Sequence, residues 1–520
     1  MSPRKFFRSR EAIQRIVLRV CTSVGISVFL LLCSQANAQF VPSVYESTTG
    51  PLPEQDFVWP NIDLSVDESP TASEEEVEQV AFEPPFPSAS SVEKTGQTNF
   101  APITSFNASP CDLQARHCDA CDVCGDFFRI RQSTYQAGGW WQQGVTLNPD
   151  DPRNRLNAPV LFNDRANDYQ MNQLYFYAGK TASVDGSQWD WGGRIDLNYG
   201  TDSRFVTVPG LEEHDDRTPR WNSETSDYGL AVPQVYVDLG TPIGPYGSTI
   251  RLGHFYALGG YETFAAPENF FYSHAYTYLY GEPFTHSGGM WFGKLTPTLS
   301  AAVAGTTGWD SLYTDLSEWG VRAGLLKTFN AGKTTIALTG HGGDDFTGIR
   351  TAAGTSAAPR AWASLVMKHF LSPNLYYVLQ GDYGYQQDAV VVLDNGNNTV
   401  GFGDANWYGI NQYLVYQWNQ KWSAGMRVEW FRDDGNSRVG LPIEYVNGGP
   451  AFNGSDYFSL TTGINYKPHP SVLLRTELRY DSSDVESNPA IPGGVAGIHP
   501  FDDRSDDDQL TIAMDAILMF

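Results

Sequence analysis

Short segments in which apolar and polar positions alternate recur from about residue 131 to the end of the chain. In SVLLRTELRYD, at 471–481, every second residue is apolar or uncharged, and the residues between them include Arg475, Glu477 and Arg479. Alternation with a period of two is typical of a β-strand with two unlike faces. The pattern predicts sixteen strands, near residues 136, 174, 191, 232, 249, 289, 298, 319, 334, 361, 375, 407, 421, 457, 472 and 509.

The charged residues of these segments share one phase of the alternation. Each predicted strand is about 9 to 12 residues long, which matches a tilted membrane strand. A charge that faces lipid at mid-bilayer costs about 2 to 4 kcal/mol, so in a membrane these residues must face inward. The sequence therefore predicts an all-β fold, a transmembrane antiparallel β-barrel over residues 131–520. The predicted pore-lining residues are Arg194, Asp196, Asp238, Arg251, Arg322, Asp382, Arg427, Glu429, Arg475, Glu477 and Arg479.

The last segment, QLTIAMDAILMF, alternates in the same way and ends on Phe520. A final strand of this kind is similar to the C-terminal signal that outer-membrane barrels present to their insertion machinery, so Phe520 is the predicted insertion signal. Thirteen of the fourteen Trp residues lie between Trp140 and Trp430, several of them near predicted strand ends. Membrane barrels carry aromatic girdles at both interfaces, and the Trp residues are predicted to form them.

The N-terminus predicts export. Residues 1–19 carry six basic residues and one acidic residue, and an apolar run and SQANA follow. The apolar run, 20–33, has 14 residues, fewer than the roughly 20 that a membrane-spanning helix needs. We expect residues 1–38 to be a signal peptide removed after Ala38, and the mature protein to reach the cell outer membrane.

The net charge of the chain limits the kinds of molecule that it is expected to bind. The chain has 34 basic and 59 acidic residues; removal of 6 and 1 with the signal peptide leaves 28 against 58, a net charge of −30. Such a chain is not expected to bind nucleic acid. Residues 39–105 contain twelve acidic residues and one lysine, with many Pro, Ser and Thr residues. They are predicted to be a disordered, acidic periplasmic linker.

A cysteine-rich segment at 106–130 precedes the predicted barrel. It contains CDLQARHCDACDVCG, and its cysteines leave two interpretations open. Four cysteines in an exported chain favour two disulfides. The C-x2-C-x2-C spacing also resembles the ligand spacing of zinc and iron–sulfur loops. Either way the segment is predicted to be a small staple or plug. Its cysteines are Cys111, Cys118, Cys121 and Cys124.

The middle of the chain resembles a known family. GRIDLNYGTD at 193–202, VYVDLGTPIG at 235–244, RLGHFYALGGYE at 251–262, NFFYSHAYTYLYGEPFTHSG at 269–288 and the closing strand are similar to the putative β-barrel porin-2 (OmpL-like) family, a planctomycete-type outer-membrane porin. The resemblance covers roughly residues 130–520. It implies an outer-membrane porin and brings no catalytic residue with it.

The same region offers candidates for chemistry. His254, His274 and His286 lie near Ser273 and Ser287, which allows a metal site or a Ser–His hydrolase, although a structural role is favoured. The aromatic stretch from Phe264 to Gly288 is long enough to be a loop that folds inward and narrows the pore. NAGKTT lacks the first glycine of a phosphate loop, and the aspartates of FDDRSDDDQ do not have the spacing of a known calcium loop.

The sequence as a whole predicts a porin and not an enzyme. Barrels of about sixteen strands leave an aqueous channel, so small hydrophilic solutes or ions are expected to diffuse passively through the lumen. No catalytic residue, cofactor or resident metal is predicted. The predicted partners are outer-membrane lipid, the barrel-insertion machinery and the solutes, and a homo-oligomer is left open. The alternatives are a barrel-embedded hydrolase and a barrel that anchors a structural surface protein.

Overall fold

The computed structural model describes residues 135–520, apart from 185–187, 215–216, 225, 313–318, 346–357, 394–398, 440–442, 446–453, 485–498 and 504. The predicted signal peptide, acidic linker and cysteine-rich segment lie outside the described residues. Among the described residues, no helix is long and apolar enough to cross a membrane.

Seventeen β-strands make up almost all of the regular structure. They are β1 Tyr135–Leu147, β2 Asp168–Lys180, β3 Asp190–Gly200, β4 Gly229–Thr241, β5 Ser248–Tyr256, β6 Thr285–Thr296, β7 Leu299–Thr307, β8 Trp319–Phe329, β9 Thr334–Asp345, β10 Ala358–Ser372, β11 Leu375–Leu393, β12 Thr399–Gln417, β13 Trp422–Asp433, β14 Ile443–Tyr445, β15 Ser455–His469, β16 Val472–Ser483 and β17 Asp508–Met519. The described helical elements are single turns at Thr201–Phe205, Ala266–Glu268 and Thr277–Gly281.

The sheet closes on itself. Each long strand pairs antiparallel with the next one along the chain, and β1 pairs with β17 as well as with β2. The three-residue β14 lies outside this ring and pairs in parallel with the far end of β11. Sixteen strands therefore form the closed barrel that the alternation predicts. Every predicted strand position falls inside a strand or within one residue of one.

The outer face of the barrel is apolar. In β17, Ile512, Met514 and Leu518 are exposed, whereas Ala513 and Ile517 of the other phase are buried. Bands of this kind surround the ring; exposed examples are Ile195, Leu197, Val235, Val237, Leu252, Val303, Val321, Leu325, Leu338, Leu365, Ile410, Ile464, Leu474 and Leu478. A continuous apolar band on a closed barrel is suited to lipid and not to water.

The two ends of the barrel differ. At the end that holds Tyr135 and Phe520, called here the turn end, consecutive strands are joined by short turns. At the opposite end, called here the loop end, the connections are longer, except for residues 394–398 between the long strands β11 and β12. The third of these, residues 257–284, joins β5 to β6 and is called here the inner loop, because it folds into the barrel.

The tryptophans divide between the outer and the inner face of the barrel, which corrects part of the prediction that they form the aromatic girdles. Trp191 and Trp422 near the turn end and Trp319 near the loop end are exposed, as girdle residues must be. The buried tryptophans instead lie in the interior, where they help to fill the barrel. They are Trp140, Trp309, Trp362 and Trp407. A strand residue faces lipid or lumen according to its phase, so position near a strand end does not by itself predict a girdle residue.

Candidate functional site

The inner loop occupies the barrel interior, as the aromatic stretch from Phe264 to Gly288 predicts. Its backbone lies largely outside regular structure, so its N–H and C=O groups need partners other than a helix or a sheet. Strand side chains that point inward supply many of those partners. The interior of the barrel, made by the inner loop and the charged wall around it, is therefore the candidate functional site.

Two glutamates of the wall hold the inner loop through its backbone N–H groups. Glu429 of β13 accepts hydrogen bonds from the N–H of Tyr276 at 2.8 Å and of Thr277 at 2.7 Å. Glu477 of β16 accepts hydrogen bonds from the N–H of Tyr272 at 2.8 Å and of Ser273 at 3.1 Å. Each carboxylate is buried and takes the N–H groups of two consecutive residues, an arrangement that fixes the loop's height in the barrel.

Arginines of the wall bind the carbonyl groups of the same loop. Nη1 of Arg475 donates to the carbonyl oxygens of Ala266 at 3.0 Å, Asn269 at 2.7 Å and Phe271 at 2.9 Å. Its other nitrogens donate to both oxygens of Asp515, at 2.8 and 2.5 Å. The Asp515 carboxylate neutralises the guanidinium and leaves one of its nitrogens aimed at the loop.

A second arginine joins the loop to itself. Nη1 of Arg427 donates to Glu262 at 2.6 Å and to the carbonyl of Ser273 at 2.7 Å. Glu262 also accepts hydrogen bonds from Tyr413 at 3.0 Å and from the N–H of Ala275 at 2.8 Å. Burial by itself would raise the pKa of Glu262, but the Arg427 charge and the neighbouring His274 outweigh it and lower that pKa to about 2. Glu262 is therefore the anionic centre of the inner loop.

Apolar packing fills much of the remaining space. Leu258 and Phe271 of the inner loop pack in one cluster with wall residues such as Phe255, Phe292 and Tyr413. A second cluster places Tyr276 of the loop with the wall residues Trp362, Trp407, Phe431 and Tyr457 and with Trp309 of the connection between β7 and β8. The loop is thus held both by charged groups and by buried rings of the surrounding wall.

Apart from Arg479, the other predicted pore-lining residues also lie on the interior face, but they are not among the residues that bind the backbone of the inner loop. Arg194 pairs with Asp196 at 2.5 Å, and Arg251 pairs with Asp238 at 2.9 Å. Arg322 donates to Thr306 and, at 2.8 Å, to the carbonyl of Gly308. All predicted pore-lining residues therefore face inward. The structure brings Arg427, Glu429, Arg475, Glu477 and Arg479 together on the inner loop, with Arg479 donating to the carbonyl of His274 at 2.6 Å.

A pair of carboxyl groups joins the end of the inner loop to the wall. Nε2 of Gln380 donates to Glu282 at 2.5 Å and to Asp382 at 3.0 Å, so one amide group bridges the two carboxyl groups. Burial and the neighbouring Asp382 carboxylate raise the pKa of Glu282 well above its usual range. Two buried carboxyl groups this close repel each other when both are charged, so the contact is favoured while the pair keeps one proton.

The histidines and serines do not form a catalytic arrangement. His254 Nδ1 lies 2.8 Å from Ser287 Oγ, but the Ser287 hydroxyl donates its hydrogen to the carbonyl of Ser311 at 2.6 Å. His254 is then the donor to Ser287, which is the reverse of what a general base needs. Ser273 Oγ accepts a hydrogen bond from Arg427 at 3.0 Å. His286 Nδ1 has no hydrogen-bond partner among the described residues.

Within the described residues, one group of three acidic side chains is close enough to share a metal ion. It consists of Asp506, Asp507 and Asp508, which lie in the connection before β17 and at its first residue. These side chains are half-buried at the loop end, far along the chain from the inner loop. The sequence predicts an acidic connection here, and the structure adds no further ligand.

Several residues of the site escape prediction from the sequence. Glu262 lies in a segment with no periodicity, so nothing marks it as the partner of Arg427. Gln380 and Tyr413 are uncharged and look like ordinary strand residues. Asp481 and Asp515 do follow the alternation, and their inward phase is the signal that finds them: Asp481 pairs with Arg479 at 2.8 Å and Asp515 with Arg475.

Comparison with known proteins gives a family and a set of distant folds. A family model described as putative beta-barrel porin-2, OmpL-like, matches residues 134–520. No curated protein matches the sequence.

Solved structures with some similarity are outer-membrane proteins. The outer membrane channel DcaP of Acinetobacter baumannii is 11% identical, with 76% of this chain and 99% of that chain covered and a TM-score of 0.45. OmpT of Vibrio cholerae, folded in vitro, is 10% identical, with 75% and 99% covered and a TM-score of 0.45. OprB of Pseudomonas putida is 10% identical, with 74% and 94% covered and a TM-score of 0.45. The barrel architecture itself rests on this chain's own strand pairing.

Proposed function

The chain belongs to the putative beta-barrel porin-2, OmpL-like family, and we propose that it is an outer-membrane porin through which small hydrophilic solutes or ions diffuse passively. The observation that carries the proposal is the closed sixteen-strand ring whose charged interior holds an inward-folded loop. A lipid-facing apolar surface combined with an interior rich in charged and amide groups is suited to polar solutes.

The inner loop is the constriction in this proposal. It crosses the interior at the height of Glu429, Glu477 and Arg475, and its rings pack against the wall. Solutes therefore pass only where the loop leaves space or moves aside. A narrow path of this kind favours small solutes and low conductance.

Selectivity in this proposal comes from the interior charges. Arg194, Asp196, Asp238, Arg251, Arg322 and Asp382 lie on the wall and are not among the residues that bind the backbone of the inner loop. Both signs are present and most of these charges are paired, so a modest ion preference is expected. The arginines and glutamates that bind the loop would act on selectivity by setting its position.

Orientation follows from the two ends of the barrel. Membrane barrels have short periplasmic turns and longer extracellular loops, which places the turn end in the periplasm. The start of β1 at Tyr135 and the C-terminal Phe520 then lie on the periplasmic side. This agrees with export by the N-terminal 38 residues, with a periplasmic acidic linker, and with Phe520 as the signal for insertion.

Single-channel conductance of the refolded chain in a planar bilayer tests the proposal. Discrete, ohmic steps are expected from the wild type, and larger steps from a variant whose inner loop is shortened between Gly259 and Gly281. A correctly inserted protein that stays silent, with and without the shortened loop, would overturn the proposal. Resistance of the folded barrel to unfolding on a gel without heating shows that each sample is inserted as a barrel.

A further inference from the structure

The lysines of the barrel are confined to its turn end. They lie within five residues of a short turn or inside one, and no lysine of the described residues lies at the loop end. They are Lys180, Lys294, Lys327, Lys333, Lys368, Lys421 and Lys467. They are called here the lysine rim.

The carboxylates near these turns do not balance the lysine rim. Among the described residues within five positions of a turn or of the chain's end, the acidic side chains are Asp190, Asp238 and Asp515. Each is paired, with Lys180 at 2.9 Å, with Arg251 at 2.9 Å and with Arg475 at 2.8 Å respectively. Counted by position, the seven lysines of the rim outnumber these three aspartates and the terminal carboxylate, so this end carries a positive excess.

The chain itself carries a segment of opposite charge next to this rim. Residues 39–105 contain twelve acidic residues and one lysine, and their densest run is SEEEVEQ at 73–79. The chain enters the barrel at Tyr135, which lies at the turn end. We propose that the acidic segment 39–105 docks on the lysine rim of its own barrel.

The lengths allow this contact. Sixteen strands about 4.8 Å apart and tilted by about 40° enclose a barrel about 30 Å across. The acidic segment has 67 residues, whose maximum extended length of about 220 Å is several times this width, so the contact does not depend on the conformation of residues 106–134. The acidic segment can therefore reach any part of the rim. Because it is tethered, it meets the rim at a high effective concentration, and exposed ion pairs that are individually weak act together.

Zero-length carbodiimide cross-linking of the mature full chain tests the docking. The protein is held in a zwitterionic detergent at about 0.01 M salt, where the screening length is about 30 Å, and at about 1 M, where it is about 3 Å. Bridges from Glu74, Glu75, Glu76 or Glu78 to Lys333 and Lys421 are expected at low salt and are expected to fall about fivefold at high salt. Mixing isotope-labelled and unlabelled chains shows whether the bridges form within one chain.

Three results would overturn the proposal. They are an absence of such bridges at low salt, bridges that do not respond to salt, and bridges that form only between chains. A loss of the bridges in vesicles that contain phosphatidylglycerol would also overturn it, since lipid headgroups would then be the occupant of the rim.

A second measurement does not depend on cross-linking chemistry. Cleavage of segment 39–105 by a glutamate-specific protease should be about fivefold faster in a variant with Lys327→Gln, Lys333→Gln and Lys421→Gln, because three lysines of the rim, the half-buried Lys327 and the exposed Lys333 and Lys421, can no longer pair with the segment. The matched control removes three exposed arginines at the loop end, with Arg153→Gln, Arg155→Gln and Arg217→Gln. Equal cleavage of the rim variant and the wild type would contradict the docking. Gel mobility without heating confirms that all samples are folded.

Discussion

The Glu429 carboxylate on β13 accepts the backbone N–H of Thr277 at 2.7 Å, so a strand of the wall directly holds the inner loop. The same carboxylate also accepts the Thr277 hydroxyl at 3.0 Å and the N–H of Tyr276. Glu477 repeats the arrangement four residues earlier in the loop, with Tyr272 and Ser273. A loop with little secondary structure is therefore fixed by charge-assisted hydrogen bonds at two points, four residues apart.

Removal of the Glu429 charge should loosen the loop. In Glu429→Gln, an amide NH2 group replaces one acceptor oxygen and faces an N–H donor, which leaves a buried N–H group without a partner at a cost of about 1 to 3 kcal/mol. We expect larger or noisier single-channel currents from this variant, with the barrel still folded. The measurement is conductance in a planar bilayer.

Asp404→Asn is the matched control for this change. Asp404 lies on the outer side of β12, where it is exposed and accepts the Tyr385 hydroxyl at 2.8 Å. Its conversion to an amide also removes one negative charge but contacts no part of the inner loop. If both variants changed the current equally, the effect would come from net charge and not from release of the loop.

Arg475→Lys tests geometry at constant charge. The guanidinium binds three carbonyl groups of the loop through one nitrogen and Asp515 through the two others. A lysine has one nitrogen and cannot reach both sets of partners. Since breaking a buried charged pair costs about 3 to 5 kcal/mol, we expect faster proteolysis of the inner loop and a lower unfolding temperature. Unchanged values of both would show that the charge alone suffices.

The fold is predictable from the sequence because a membrane barrel needs strict alternation. In β16, Arg475, Glu477 and Arg479 point inward and Leu474 and Leu478 point outward, as their phase predicts. A one-residue error in register would expose charges to lipid, so phase and strand number are strongly constrained.

The interior is less predictable, because it depends on contacts between residues far apart in sequence. Glu262 and Arg427 are 165 positions apart, and no local pattern joins them. The inner loop could be expected from its length and its aromatic residues. The hydrogen bonds that attach this loop to the wall could not be expected. The same inward charges are compatible with an open lumen and with a lumen in which they bind a loop.

Phe520 should matter more for assembly in cells than for stability. Its N–H and C=O groups pair with Gly139 at 3.0 and 2.9 Å, bonds that any residue can make. The centroid of its ring lies 5.5 Å from that of Phe176 on β2. If Phe520 is the insertion signal, Phe520→Ala should lower the amount of folded barrel in membranes several-fold yet refold normally in detergent. The control is Phe329→Ala, which removes a different aromatic ring at the turn end, one that is exposed.

The Glu282–Asp382 contact should make the inner loop sensitive to pH. When the loop is docked, burial and Asp382 raise the pKa of Glu282 well above its usual range, whereas an undocked Glu282 in water titrates near 4.5. Docking is therefore fully favoured below about pH 4.5, and it weakens as the pH rises from there towards the raised pKa of the docked state. Conductance should accordingly increase as the pH rises above about 4.5.

Other titratable groups near the inner loop also bear on this pH dependence. Glu262, with its pKa lowered to about 2, keeps its charge throughout this pH range, and burial lowers the pKa of His274, which disfavours the charged ring. Burial raises the pKa of Asp202 to about 7, so it acts in the same direction as Glu282.

The variants separate these contributions. Glu282→Gln, whose amide can donate to Asp382 at any pH, should remove most of the pH dependence of the conductance. Asp202→Asn should remove a smaller part of it. Glu268→Gln, in the same loop but partly exposed, should leave it unchanged; a Glu282→Gln channel with the wild-type profile would show that this carboxyl pair does not control the loop.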